Sequence, residues 1–366
     1  MTDIVLHAAR VGKVGGLRHF ADALAESFEG ASQVVALVPE GVRLNSTIPQ
    51  RSVPKWIASS GRVTAARPIL WWIYSASFLA DLRGKRVLCS THHTLPFHRH
   101  QIAVVHDLRP YFHPDNWAQH VNFHYFLPRA LRRCDGILTV SETSKDLLVS
   151  AYQMPPSKIF VVPNIVDCEF FLPGSEMIEP RAVGQYLLTV GSSWKHKNVC
   201  ELLKMQEFWR DKYRLKIVGA NGQYIDFLKK MTLTMGLGKQ VDFLNGLTAD
   251  QLRDLYRNCS ALVYPSTMEG FGLPPLEAMA CGRPVIVSDI PVFRELYGDA
   301  PIYVKLKDRE SWRKAFEMLT AHSETQVRLG LECAKSFSRE RFRTALYDAL
   351  ERIWSKESLL EVFGRR

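Results

Sequence analysis

The sequence predicts an α/β protein of two doubly wound, Rossmann-like domains. Short β-branched runs alternate with longer amphipathic stretches, the pattern of parallel strands joined by crossover helices, and that rhythm restarts in the second half. The length of 366 residues suits two domains at roughly 100–200 residues each.

Strands are expected at Ile4–Ala8, Val34–Val38, Arg86–Ser90, Ile102–His106, Gly136–Val140 and Ile159–Val162. Helical patterns fall near 117–133 and 142–152. Pro173, Gly174, Pro180 and Gly184 punctuate LPGSEMIEPRAVGQ, residues 172–185, and mark the break. The second set of strands is Tyr186–Val190, Leu215–Val218, Val241–Leu244, Ala261–Tyr264, Pro284–Val287 and Pro301–Val304. Helices are expected over 198–210, 222–236, 249–258, 274–281 and 308–320. Ser338 is placed to cap a last helix, Arg339–Trp354. The expected domains are residues 1–172 and 183–335, with the helix of 336–366 packing back on the first.

Composition narrows the class. Hydrophobic residues make up 46% and charged residues 23%, a globular balance that excludes a disordered chain. The seven cysteines are scattered, with no CxxC pair, which argues for reduced thiols and a cytoplasmic setting. The N-terminus lacks a basic region followed by an apolar core, so no signal peptide is expected. The most apolar stretch, residues 68–80, has 13 residues, against about 20 for a bilayer span. A net charge of +10 invites an anionic partner. Between 51 and 100, eight Lys and Arg residues face the single acid Asp81, with Trp56, Trp71, Trp72, Tyr74 and Phe78 interleaved. That mixture suits peripheral contact with an anionic membrane face, or a buried helix with a solvated basic rim. No nucleic-acid module is present, and nucleic acid is not expected as a partner.

Four motifs carry chemistry. In YPSTMEGFGLPPLEAMAC, residues 264–281, Pro274 and Pro275 suit a first helical turn and Gly282 a left-handed cap. Glu269 then lies in a loop and Glu277 in the first turn, eight positions apart. Gly270, Phe271, Gly272 and Leu273 offer backbone N–H groups at a helix start, where an anion is favoured. A carboxylate accepts two hydroxyl hydrogen bonds, which suits a sugar diol. A glutamate that merely complements a helix dipole is the plainer reading of Glu277 alone. In VGSSWKHKN, residues 190–198, Ser192 and Ser193 can donate hydrogen bonds, Lys195 and Lys197 can neutralise a diphosphate, and Asn198 can cap the next helix. Both segments follow strands, where α/β proteins bind ligands.

After the first strand, Gly15 and Gly16 let backbone approach a ligand, although the full GxGxxG is absent. In VVHDLRPYFHP, His106 and Asp107 at a strand end suit either a sugar contact or a satisfied turn. His92 and His93 lie at another strand end, on the acceptor side. The histidine spacing fits no familiar metal set, so no metal is expected.

Taken in order, these segments resemble glycosyltransferase family 4, the retaining enzymes of the GT-B fold, in which two Rossmann-like domains face across a cleft. The likeness runs from TVSETSKDLL, residues 139–148, through VVPNIVD, 161–167, and VGSSWKHKN to residues 241–300. It implies a hexosyltransferase that draws on a nucleoside-diphosphate sugar and needs no further cofactor. By the resemblance, Glu269 faces the donor hexose, Glu277 the ribose and Lys197 the diphosphate. His106 matches the sugar-proximal histidine, and Gly15 and Gly16 the N-terminal glycine loop. Leu247 falls where backbone meets the base. Glu269, Lys197 and His106 are thus the catalytic candidates. The chain departs from the family at His196, where many members carry Arg, and at Asn164-Ile165, where many carry Asn-Gly. Overall similarity favours mannose from GDP-mannose over a UDP-sugar. The expected acceptor is a glycan or lipid-linked glycan in cell-surface polysaccharide or lipopolysaccharide synthesis. A sugar-nucleotide epimerase, a glycan phosphorylase and a non-catalytic glycan- or membrane-binding protein are the alternatives.

Overall fold

Seven parallel strands form one sheet: β1 (Ile4–His7), β2 (Val34–Pro39), β3 (Gln50–Val53), β4 (Arg86–Cys89), β5 (Gln101–Val105), β6 (Gly136–Thr139) and β7 (Ile159–Val161). Their spatial order is β3-β2-β1-β4-β5-β6-β7. The computed structural model describes residues 4–12, 15–31, 33–54, 82, 84–96, 98–171, 185–321 and 323–355. The chain divides into two compact units, residues 1–165 with 339–366, and residues 166–338. The expected break at 172–185 lies outside the described residues except for Gln185, as does most of the basic aromatic segment, including residues 68–80.

Strands β1, β5 and β6 are buried along their whole length, which is why they read as unbroken apolar runs. Strand β3 was not expected. It is an edge strand of sequence QRSV with two exposed positions, so it carries no apolar pattern. The helix Gly16–Ser27 follows β1, and Phe20 on it meets Phe342 of the helix Arg339–Trp354 edge-on at 5.3 Å. The expected helix over 117–133 is three pieces: Trp117–Val121, a π-helical turn Asn122–Phe126, and Leu127–Arg133. Pro128 lacks the N–H that a continuous α-helix would use, and the wider turn sits just ahead of it.

The second unit carries β8 (Tyr186–Val190), β9 (Arg214–Val218), β10 (Val241–Leu244), β11 (Ala261–Tyr264), β12 (Val285–Ser288) and β13 (Ile302–Val304), ordered β10-β9-β8-β11-β12-β13 and again all parallel. In each sheet the order reverses once, at β1/β4 and at β8/β11. Those reversals are the crevices where doubly wound sheets bind ligands. Helix 198–210 is shorter than expected: an α-helix Val199–Lys204 gives way to a 3₁₀ turn Gln206–Phe208. Helices Pro291–Tyr297 and Ser323–Lys335 add to the expected set. Among the described residues, no helix is long and apolar enough to cross a membrane.

Candidate functional site

The β8/β11 reversal brings together two loops that are far apart in sequence. One leaves β8 through Gly191–Asn198, and the other leaves β11 through Pro265–Gly272. The Thr267 amide donates to the His196 carbonyl at 2.8 Å and ties them. Lys197 Nζ donates to Glu269 Oε1 at 2.5 Å and to the Tyr264 hydroxyl at 2.5 Å. Ser266 Oγ donates to the same Glu269 oxygen at 2.7 Å. The lysine and glutamate side chains are only 14% and 11% exposed, so the pair is screened little. Burial pushes the Glu269 pKa up, but Lys197, His196 and Ser266 outweigh it and hold the carboxyl below its ordinary value.

Of the four other candidates in this loop, only Ser192 presents a buried group left open to an anion. Ser192 is buried, and its Oγ finds no partner among the described residues. A buried hydroxyl without a partner is costly, and a ligand oxygen would satisfy it. Ser193 is otherwise engaged: its Oγ accepts from the Ala220 amide at 2.8 Å. Lys195 is exposed. Asn198 does not cap the following helix through its side chain, contrary to expectation. It adopts a left-handed backbone, φ 53°, and its amide donates to Glu201 Oε2 at 2.8 Å.

The helix after β11 runs Leu273–Ala280, with the two prolines in its first turn. Proline has no N–H, so the orphan donors at the start of this helix are those of Gly272 and Leu273, with the Phe271 amide just ahead of them. Gly272 has φ 95°, and an added Cβ would lie 2.5 Å from the Tyr297 hydroxyl and 2.7 Å from a Phe293 ring carbon. Tyr297 donates to the Phe271 carbonyl at 3.0 Å and also to that of Gly272, which braces the loop. Glu277 is the fifth residue of the helix, just past the first turn where the sequence placed it. It is buried, and Tyr256 donates to its Oε2 at 2.6 Å. A dipole contact at a helix end therefore does not explain it. Leu247 is half-buried between Gly246, φ 65°, and Thr248, which caps the helix Ala249–Asn258.

In the first unit, Gly15 has φ 105° with nothing within 4 Å of an added Cβ, and Gly16 begins the helix. His106 stands one residue beyond β5, its Nε2 2.9 Å from the Ser90 carbonyl oxygen and its ring edge-on to Phe20 at 4.8 Å. That contact needs a protonated Nε2 and leaves Nδ1 as the acceptor. Burial lowers the His106 pKa to about 4, so the ring is neutral near pH 7. Asp107 accepts from the Arg109 amide at 3.0 Å, a satisfied turn. His92 stacks on His93 at 4.2 Å, and its pKa is lowered to about 4 by burial, His106 and Arg10. A cavity of about 1080 Å³ along Ser27, Arg43, Gln50 and Phe342 touches none of Gly15, Gly16 and His106. Among the described residues, no three His, Cys, Asp or Glu side chains are grouped to hold a metal ion.

Residues 178–334 match the family described as glycosyl transferases group 1, and residues 21–170 match glycosyltransferase family 4. The O-antigen chain mannosyltransferase RfbU of Salmonella typhimurium is 38% identical over 73% of this chain and 75% of its own length. The chain belongs to glycosyltransferase family 4. It is a hexosyltransferase. The O-antigen chain mannosyltransferase B of Escherichia coli is 28% identical over 69% of this chain and 71% of its own. The sucrose-phosphate synthase structure from Thermosynechococcus elongatus superposes with a TM-score of 0.80 at 16% identity, covering 97% of this chain and 100% of that one. The fold is GT-B.

For this family 4 chain, sequence reasoning assigned no role to Tyr264, Ser266, Tyr256 or Tyr297, which hold Lys197, Glu269, Glu277 and the Gly272 loop. Tyr264 ends a strand next to the motif, and that position was its one available signal. Tyr256 and Tyr297 come from neighbouring helices, and only the folded chain brings them in.

Proposed function

We propose that the chain is a retaining transferase that moves a hexose, mannose by preference, from a nucleoside-diphosphate sugar to a glycan or lipid-linked acceptor of a cell-surface polysaccharide. GDP-mannose is the favoured donor, and cytoplasmic action at the membrane face follows from such an acceptor. The observation that carries this reading is the convergence of Lys197, Tyr264, Ser266 and Glu269 at the β8/β11 reversal, beside the unpartnered Ser192 hydroxyl. The mannosyltransferase names of the two relatives support the sugar.

Donor entry exchanges the Lys197–Glu269 pair for two others. Lys197 turns to the diphosphate and Glu269 accepts from hexose hydroxyls. Ser192 and the amides of Phe271 to Leu273 complete the anion's hydrogen bonds, and Glu277 accepts from the ribose diol. Leu247 backbone faces the base. As the bond from the anomeric carbon to the leaving phosphate oxygen breaks, negative charge grows on that phosphate, and fixed donors in a dry site stabilise it most. The acceptor hydroxyl enters on the face the phosphate leaves, and its proton passes to a phosphate oxygen. Gly15, Gly16 and neutral His106 serve the sugar and acceptor, His106 through Nδ1. Incubation with GDP-mannose, GDP-fucose and several UDP-hexoses, each with lipid-linked acceptors, tests the reading. GDP release coupled to mannose transfer is expected. No turnover with any pair overturns it.

A further inference from the structure

Four large apolar side chains in the first unit face solvent within fifteen residues: Phe112 at 43% exposure, Trp117 at 77%, Tyr125 at 54% and Phe126 at 64%. Soluble proteins rarely leave such a cluster open without a use for it. The segment Trp117–Arg133 buries Phe123, Leu127 and Leu131 on its inner side. Its outer side therefore carries Trp117, Tyr125 and Phe126, followed by Arg129, Arg132 and Arg133. This inverts the usual rule that the solvent face of a helix is polar. The π-helical turn Asn122–Phe126 widens the helix where Tyr125 and Phe126 both point outward.

The patch is held stiffly. Tyr111 stacks on His124 at 4.2 Å and 16°, and Phe112 meets Tyr111 edge-on at 5.0 Å. His120 lies 4.0 Å from His124. The charge on the segment Trp117–Arg133 is of one sign. No Asp or Glu occurs between Asn116 and Cys134. Arg129 donates to the Tyr125 carbonyl at 2.5 Å and Arg132 to the Tyr152 carbonyl at 2.8 Å, and neither meets a carboxylate among the described residues. The nearby acid Asp115 is held by both terminal nitrogens of Arg109, at 3.0 and 2.7 Å.

We infer that this surface docks the first unit on an anionic lipid bilayer. Trp117, Tyr125 and Phe126 enter the headgroup region, where amphipathic rings are most stable, and Arg129, Arg132 and Arg133 meet lipid phosphates. The basic aromatic segment 51–100 is not needed for this. The surface rests on exposure and charge alone, and the proposed lipid-linked acceptor supplies its purpose. Vesicle binding and sugar transfer are therefore read separately.

The test is co-sedimentation of the full chain with phosphatidylcholine vesicles, with and without about a third phosphatidylglycerol. Salt-sensitive binding to the anionic vesicles is expected. A Trp117→Ser, Phe126→Ser variant should bind both kinds at least about tenfold more weakly. An Arg132→Gln, Arg133→Gln variant should lose about 25-fold on anionic vesicles, about fivefold per charge, and little on neutral ones. Both variants should stay folded: the altered side chains are exposed, and the only tertiary bond given up among the described residues is that of Arg132 to the Tyr152 carbonyl, a small loss. No vesicle binding by the parent, or binding that both variants retain, overturns the inference. So does a parent dimer that the Trp117 variant splits while lipid binding persists, since the patch would then join two copies. A chain that binds vesicles but transfers no sugar loses the proposed function and keeps this surface, and the converse result does the opposite.

Discussion

Lys197 holds the buried Glu269 carboxyl in its charged form, and removing the lysine should reverse how that carboxyl titrates. In the parent, Glu269 is held below its ordinary value. Its contribution to stability is therefore present above the unfolded pKa and is lost as pH falls through the folded one. In Lys197→Met, burial is the leading influence that remains, and it favours the neutral acid. The folded pKa then lies above the unfolded value, so the variant is relatively more stable in acid and loses ground as pH rises. Melting temperatures from pH 4 to pH 8 should show opposite trends for this site, with the variant lower by about 3 kcal/mol near neutrality, the cost of a buried charge without its partner. Parallel pH profiles for the two proteins would show that Lys197 does not govern Glu269. Glu277 accepts from a neutral hydroxyl, that of Tyr256. Glu277→Ala removes a carboxylate and also strands the buried Tyr256 hydroxyl. Nucleoside-diphosphate affinity should fall by about 1–3 kcal/mol, the cost of unpairing a charged hydrogen bond. Tyr256→Phe keeps the carboxylate and should lose less. Calorimetry on both variants decides it, and unchanged affinity in Glu277→Ala removes that residue from the ribose.

The loop from β11 to the helix Leu273–Ala280 keeps its shape through one backbone position. Gly272 combines φ 95° with a space already filled by Tyr297 and Phe293. Gly272→Ala thus meets a left-handed penalty of about 1–2 kcal/mol and a collision as well. We expect thermal stability to fall by more than that penalty and donor-induced stabilisation to shrink, because the Phe271 and Gly272 carbonyls lose the Tyr297 brace. Gly15→Ala shares the backbone strain and has open space around it, so it should cost only the first part. A melting comparison of the two variants separates strain from collision, and equal losses would show that Tyr297 does not brace the loop. This distinction was invisible in the sequence, where both positions read only as glycine near a helix start. The strands were legible because buried parallel strands need apolar residues on both faces, as ALVY and VIVS have. The meeting of Lys197 with the Glu269 loop was legible for a topological reason, since both follow strands of one doubly wound sheet. The edge strand β3, the Asn198 backbone and the Tyr256–Glu277 bond were not legible. Each depends on a tertiary neighbour that local pattern does not encode.

The first unit is made from both ends of the chain, and this gives it a dependence that no local motif announces. Residues 339–366 belong to it, although residues 166–338 form the other unit. The helix Arg339–Trp354 buries Phe342, Leu346, Ala349, Leu350 and Trp354. Its Tyr347 hydroxyl donates to the Ser27 carbonyl, and Trp354 Nε1 donates to Asp135 Oδ2 at 3.1 Å. The tightest fit is at the start of β6. A Cβ on Gly136 would lie 2.4 Å from Ile353 Cδ1 and 2.8 Å from its Cγ1. Glycine at this position thus serves a helix more than 200 residues later in the chain. Gly136→Ala should cost about 1–3 kcal/mol by overpacking, through a shift of Ile353 or of the strand. Ile353→Ala should cost a little on its own, since it removes half-buried methyl groups. Together the two should cost less than their sum, because the shortened side chain makes room for the new methyl. A coupling of about 0.5 kcal/mol or more, read from urea melts of the parent, both single variants and the double variant, is expected for residues in direct contact. Strict additivity would mean that Ile353 does not press on β6.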